Sequence, residues 1–146
     1  MRKLTIIILL VACSFSSHAQ NTIRKIATEI KDGIASFYHD KFEGRKTANG
    51  EIFNNNKYTA ASNTLKLGTY VKVTNTNNGE ICYVKINDRM AANNRRLIDL
   101  ASIAAKKLNF HKNGLAKVKV EVVSDEEGRN GILTQLQNTP SNSSAL

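Results

Sequence analysis

The sequence predicts a mainly-β domain, a small barrel carrying one short α-helix, with a segment of different character at each end. Three observations predict it. Apolar and polar residues alternate in Tyr70–Asn75, Ile81–Ile86 and Lys117–Val122, and a period of two marks strands with one buried face. Asn77–Asn78–Gly79 lies between the first two runs and tolerates positive φ, so those runs should form a hairpin. One segment has helical spacing: Leu100, Ile103, Ala104 and Leu108 share a face.

Taken in order, the chain opens with Arg2 and Lys3, an apolar run from Leu4 to Cys13, and small residues from Ser14 to Ala19. That is the layout of a secretory signal, over residues 1–19. The apolar run is too short to span a bilayer as a permanent helix. Ser17 and Ala19 place cleavage before Gln20. Leu10–Val11–Ala12–Cys13 also resembles a lipobox, which would make Cys13 an acylated first residue. Both readings export the protein to the periplasm or cell envelope, and only the second attaches it to a membrane.

Residues 20–32 read as an amphipathic lead-in, through Ile23, Ile26, Ala27 and Ile30. The barrel domain is expected over 33–123, with Gly33–Tyr38 starting its first strand. Val118, Val120 and Val122 should face inward, since one strand face fills a small barrel. Asp99 is placed to cap the helix, and Lys106 and Lys107 suit its negative end. Asn113–Gly114 then breaks the chain before the last strand. Residues 124–146 are polar, with little to bury, and are expected to form a flexible tail.

Composition narrows the function. The chain has 146 residues, with 21 Lys and Arg against 12 Asp and Glu, a formal charge of +9. A basic surface suits nucleic acid, anionic lipid or wall polymers, and export argues against nucleic acid as a partner. A 41% apolar share is enough for a core. With Cys13 removed or lipidated, Cys82 has no partner for an internal disulfide, so packing must hold the fold. The sequence has no GKS/T phosphate loop, HExxH or CxxC, and His18, His39 and His111 are scattered. No metal, cofactor or Ser/His/Asp triad is therefore expected. The polar group best placed for chemistry is Asp88, in Asn87–Asp88–Arg89 at the end of a strand. A carboxylate there stands on a rigid platform beside solvent, although an Asx-turn paired with Arg89 fits the same residues.

Longer stretches carry a resemblance. Gly33–Ile34–Ala35–Ser36–Phe37–Tyr38 is followed by Phe42–Glu43–Gly44–Arg45–Lys46–Thr47–Ala48–Asn49–Gly50–Glu51. Then come Tyr58–Thr59–Ala60–Ala61, Gly68–Thr69–Tyr70–Val71–Lys72–Val73–Thr74–Asn75, Asn87–Asp88–Arg89 and Arg96–Leu97–Ile98–Asp99–Leu100. In order and spacing this resembles the RlpA-like double-psi β-barrel family, from Gly33 to about Leu108. The resemblance implies a barrel of about six strands, export, and action on peptidoglycan as an endolytic transglycosylase that favours glycan stripped of stem peptides. It implies peptidoglycan glycan strands as the partner, and the chain is expected to be a monomer. Many members also carry a sugar-binding SPOR domain, for which the tail is expected to be too short.

Carried over by position, the resemblance makes Asp88 the catalytic acid and base. A hydrolase that positions a water usually needs two carboxyl groups. A lytic transglycosylase uses the sugar's own C6 hydroxyl as nucleophile, already tethered, and leaves a 1,6-anhydro end. One carboxyl then suffices, and partial burial is expected to keep it protonated at the start. Arg89 should turn away from it, towards Asp99. Glu51, Ser62 and Arg89 are the expected substrate contacts, with Glu51 read also as a buried hydrogen-bonder bracing the barrel, and Asp99 and Arg96 the structural support. The sequence departs from the family at Ser62, where members have a second functional residue, a histidine. It departs again at Met90–Ala91–Ala92, where they have Gly-Pro-Phe. Ser62 donates a hydrogen bond but carries no positive charge for a developing oxocarbenium. That leaves a groove that binds glycan without cleaving it as the alternative. His39 offers an imidazole in place of the missing one, on no sequence feature beyond its identity. Tyr38, Tyr58 and Tyr83 are expected mostly in the core.

Overall fold

The computed structural model describes residues 28–139. Six strands close into a barrel: β1 (Ile30–Phe37), β2 (Thr59–Ala61), β3 (Tyr70–Asn75), β4 (Ile81–Asp88), β5 (Ile98–Leu100) and β6 (Ala116–Val123). Around the barrel they run β1-β5-β2-β4-β3-β6. The β1/β5 and β2/β4 pairs are parallel, and the other four are antiparallel. Helix α1 (Ser102–Lys107) separates β5 from β6, and α2 (Asp125–Gln137) follows β6.

The period of two does what the sequence requires. Val71, Val73, Cys82, Val84, Ile86, Val118 and Val120 are buried, and they pack with Ile98 and Leu100 in one core with Ala104, Ala105 and Leu108 of α1. Burying such a side chain fully is worth about 1.5–3 kcal/mol. Val122 is only partly buried, because β6 has reached the barrel rim. The hairpin turns through Gly79 at φ 76°, a value that costs a residue with a Cβ.

Three expectations change. The first strand begins at Ile30, three residues before the expected boundary, so the end of the lead-in belongs to the barrel. Asp99 does not cap the helix: it lies in β5 with Leu100, and Ala101 at the cap position makes no side-chain bond. Strand pairing to β1 and β2 claimed the residues that helical spacing had assigned to the first turn. The short strands β2 and β5 emerge only from this pairing. Finally, most of the segment expected to be a loose tail is helix: α2 starts at Ser124, whose side chain accepts from the Glu127 N–H, and docks on β3 and β4. The signal reading of residues 1–19, Cys13 and the rest of the lead-in lie outside the described residues, as does the end of the tail. Among the described residues, no helix is long and apolar enough to cross a membrane.

Candidate active site

Strand register builds the site. Ser36 of β1 pairs with Asp99 of β5, Asp99 with Ala61 of β2, and Ala61 with Asp88 of β4. The neighbouring row, Phe37–Leu100–Ala60–Ile86, faces the core, so the alternation of side chains turns the first row outward. Two carboxylates thus stand on one outer row, with one strand between them and their Cα atoms roughly 10 Å apart. The groove beside them holds about 850 Å³ and is lined by both, with Tyr38, Phe53 and Met90 among its walls.

Asp88 is half-buried at the end of β4. Its Oδ1 accepts the backbone N–H groups of Ala48 and Arg89, each at 2.8 Å. Its Oδ2 accepts the Tyr38 hydroxyl at 2.7 Å. The Tyr38 ring is fixed by Phe53 at 4.3 Å and Phe42 at 5.8 Å. Burial, and then the Asp88 carboxylate beside it, push the Tyr38 phenol well above its ordinary range. Among the described residues no cation forms an ion pair with Asp88.

Asp99 is held differently. Arg96 grips it in a fork, Nε to Oδ1 at 2.9 Å and Nη2 to Oδ2 at 3.1 Å, and the Ser36 hydroxyl donates to Oδ1 at 2.5 Å. A bidentate guanidinium–carboxylate pair is among the stronger charged contacts. Asp99 and Arg96 therefore form a fixed, neutralised wall opposite the open carboxylate of Asp88.

The three expected substrate contacts are placed otherwise. Ser62 is fully buried; its hydroxyl donates to the Leu97 carbonyl at 2.9 Å, and it does not line the groove. Arg89 turns from Asp88 as expected, though not towards Asp99: its guanidinium donates to the carbonyls of Ser62 and Leu65, the latter at 2.6 Å. Glu51 also lies off the groove, taking hydrogen bonds from Asn49, Lys85 and Asn87 at 3.0–3.1 Å. The Asn87 amide first, then Lys85 and Asn49, hold its carboxyl below the ordinary value, against a smaller cost of burial. Its work is structural. The turn that it braces closes from the Thr47 N–H to the Glu51 carbonyl at 2.8 Å and docks on β4 through Asn49, so the Ala48 N–H meets Asp88. His39 lines the groove, with Nδ1 accepting the Lys41 N–H. Among the described residues, no three His, Cys, Asp or Glu side chains gather as metal ligands.

Sequence reasoning missed the contact between Tyr38 and Asp88. The signal was present in parity: Ala35 and Phe37 face the core, so Ser36 and Tyr38 share the outward face.

The model of the family described as lytic transglycolase, a double-psi β-barrel, matches residues 30–120. The chain belongs to this family. Like it, the endolytic peptidoglycan transglycosylase RlpA of Pasteurella multocida is 46% identical over 114 residues, 77% of this chain and 39% of that protein. The protein of the same name from Haemophilus influenzae is 45% identical over 94 residues, 64% of this chain and 33% of its own length. This lytic transglycolase-family chain thus spans about a quarter to two fifths of the curated relatives it matches. Solved structures agree on the fold: the Streptomyces papain inhibitor gives a TM-score of 0.54 at 23% identity, covering 66% of this chain and 96% of its own. Cerato-platanin 3 from M. perniciosa gives 0.53 at 14% identity, covering 68% and 99%.

Proposed function

We propose that this protein is a lytic transglycosylase that cleaves peptidoglycan glycan strands, with Asp88 as its single acid and base. One observation carries the reading: a carboxylate without an ion-pair partner among the described residues stands on a rigid strand end, open to a groove whose second carboxylate, Asp99, is tied to Arg96. In the step, the Asp88 carboxyl gives its proton to the oxygen that leaves C1 of the muramic residue. The C6 hydroxyl of that residue attacks C1, and its proton passes to the carboxylate. The C1–O bond to the next sugar breaks and the C1–O6 bond forms, so no water enters and the carboxyl is regenerated. Relatives named as endolytic peptidoglycan transglycosylases support the assignment, with glycan free of stem peptides as the preferred substrate. Export through a signal over residues 1–19, with membrane attachment only if Cys13 is lipidated instead, and action as a monomer in the cell envelope complete the proposal.

The test is digestion of purified, peptide-free glycan strands, with 1,6-anhydro-muramic ends detected by mass spectrometry. Wild type is expected to yield them and Asp88→Asn to lose them at least a hundredfold, the lower end for a general acid or base. Equal, empty product profiles from both would end the catalytic reading. A second reading, a groove that holds glycan without cleaving it, draws on Ser62: the position where relatives by resemblance carry an imidazole is a buried hydroxyl here. Retention of glycan in a pull-down without anhydro ends would select it.

A further inference from the structure

We propose that Tyr38 is a positioning residue that decides which oxygen of Asp88 carries the transferable proton. This rests on the reading of Asp88 as acid and base. The two carboxylate oxygens are unequal. Oδ1 faces two backbone N–H groups, from Ala48 and Arg89, which only donate. A proton on Oδ1 would face both of them, so that oxygen is a permanent acceptor. Oδ2 has one partner among the described residues, the Tyr38 hydroxyl at 2.7 Å, which both donates and accepts. The proton therefore belongs on Oδ2.

Tyr38 suits the task because it is immobile and stays protonated. Phe42 and Phe53 fix its ring, and burial beside a carboxylate keeps its own proton in place. When Oδ2–H gives its proton to the leaving sugar oxygen, the O–H bond at Oδ2 breaks and a full charge appears there. The phenol O–H, already aimed at Oδ2, then makes a charge-assisted bond, stronger than the one it made before. An interaction that strengthens as charge develops speeds the step rather than tightening the ground state.

The other charges around the pair do not take this role. On the Tyr38 side, His39 and Lys41 follow it in the chain and Arg45 and Lys46 stand on the next turn, all lining the groove. None of them makes a hydrogen bond or ion pair to Asp88 among the described residues. Beyond β4, Arg89 is turned to the carbonyls of Ser62 and Leu65. On β5, Asp99 is neutralised by Arg96.

Tyr38→Phe in the full chain tests this, because the variant keeps the ring packing and removes the hydroxyl alone. On peptide-free glycan, kcat is expected to fall about tenfold to a hundredfold with KM little changed, the loss of one charge-assisted hydrogen bond. The limb where activity falls as pH rises is expected to move to higher pH, because a donor to the charged form is gone. An unchanged kcat and pH profile in a folded variant would overturn the proposal. A second measurement does not need turnover: the Asp88 carboxyl carbon is titrated by NMR in wild type and in Tyr38→Phe. Its midpoint is expected to rise in the variant, and an identical midpoint would overturn the proposal whether or not the chain is an enzyme. If wild type makes no product while the midpoint still rises, the catalytic reading of Asp88 fails and the Tyr38 assignment to Oδ2 stands.

Discussion

The Gln135 side chain of α2 takes up both backbone groups of Tyr83 in β4, accepting from its N–H and donating to its carbonyl at 3.0 Å. The reason lies in strand length. β2 has three residues and covers β4 only from Lys85 to Asp88, which leaves the first half of β4 with β3 as its sole strand neighbour among the described residues. A primary amide presents one donor and one acceptor at the spacing of a peptide group, so Gln135 stands in for the missing strand.

Gln135→Ala is accordingly expected to cost about 1–3 kcal/mol, the penalty for leaving a half-buried backbone pair without partners. Urea unfolding measures it. Hydrogen exchange should localise it, with the Tyr83 amide losing protection while the Val71 and Val73 amides of β3 keep theirs. Uniform loss across the barrel would show that α2 matters in some other way.

The same helix approaches β3 and β4 through glycines. A Cβ at Gly131 would lie 2.4 Å from Cγ of Tyr83, and one at Gly128 would lie 2.2 Å from Cβ of Tyr70. Alanine improves intrinsic helix propensity by up to about 1 kcal/mol, whereas overpacking of this kind costs about 1–3 kcal/mol. The clash should win. Gly131→Ala is expected to lower stability and to weaken Gln135's hold on Tyr83, seen as faster exchange of the Tyr83 amide. A stabilised variant would mean that α2 slides freely over the sheet.

These contacts explain what the sequence showed and what it hid. β3, β4 and β6 are long enough to display a period of two, and their alternation can be read directly. β2 and β5 have three residues each, too few for any period, and their pairing is tertiary. α2 buries only Gly128 and Gln135, so hydropathy was silent, yet Ser124 and Glu127 stand at the spacing of a capping box. Asp88 was legible because it ends a strand in a recognisable motif. Ser62 and Glu51 were not, because whether a polar side chain opens to a groove or turns to a carbonyl depends on what the fold lays over it. The Leu97 carbonyl settles Ser62, and Lys85 with Asn87 settles Glu51.

Cys82 should behave as an inert core atom. It is fully buried, and burial pushes its thiol up to about 12. At pH 8 that leaves roughly one thiolate in ten thousand, and the thiolate is the reactive form. In a chain carrying Cys13→Ser, a thiol reagent is expected to label nothing in native buffer and one equivalent in urea. Labelling in native buffer at a rate above that of unfolding would contradict the packing of β4.

Glu51 makes the acid limb of stability testable with a definite sign. Its folded value lies below the ordinary 4.5, so at neutral pH both folded and unfolded states are ionised and the folded one gains from Asn87, Lys85 and Asn49. That gain is complete above about pH 4.5. As pH falls further the unfolded chain takes the proton first, and the gain is lost by the time pH passes through the folded value. The side chain is 43% exposed, so solvent screening keeps the gain near the range for exposed pairs, about 0.2–1 kcal/mol. Glu51→Gln is therefore expected to be less stable than wild type at pH 7 by that amount, and the two should converge once pH has fallen through the folded value. Urea midpoints from pH 7 down to pH 2.5 read this directly. The variant should also loosen the Thr47–Glu51 turn, and with it the Ala48 N–H that meets Asp88. If the two midpoints ran parallel at every pH, the Glu51 carboxylate would not be what holds the turn against β4.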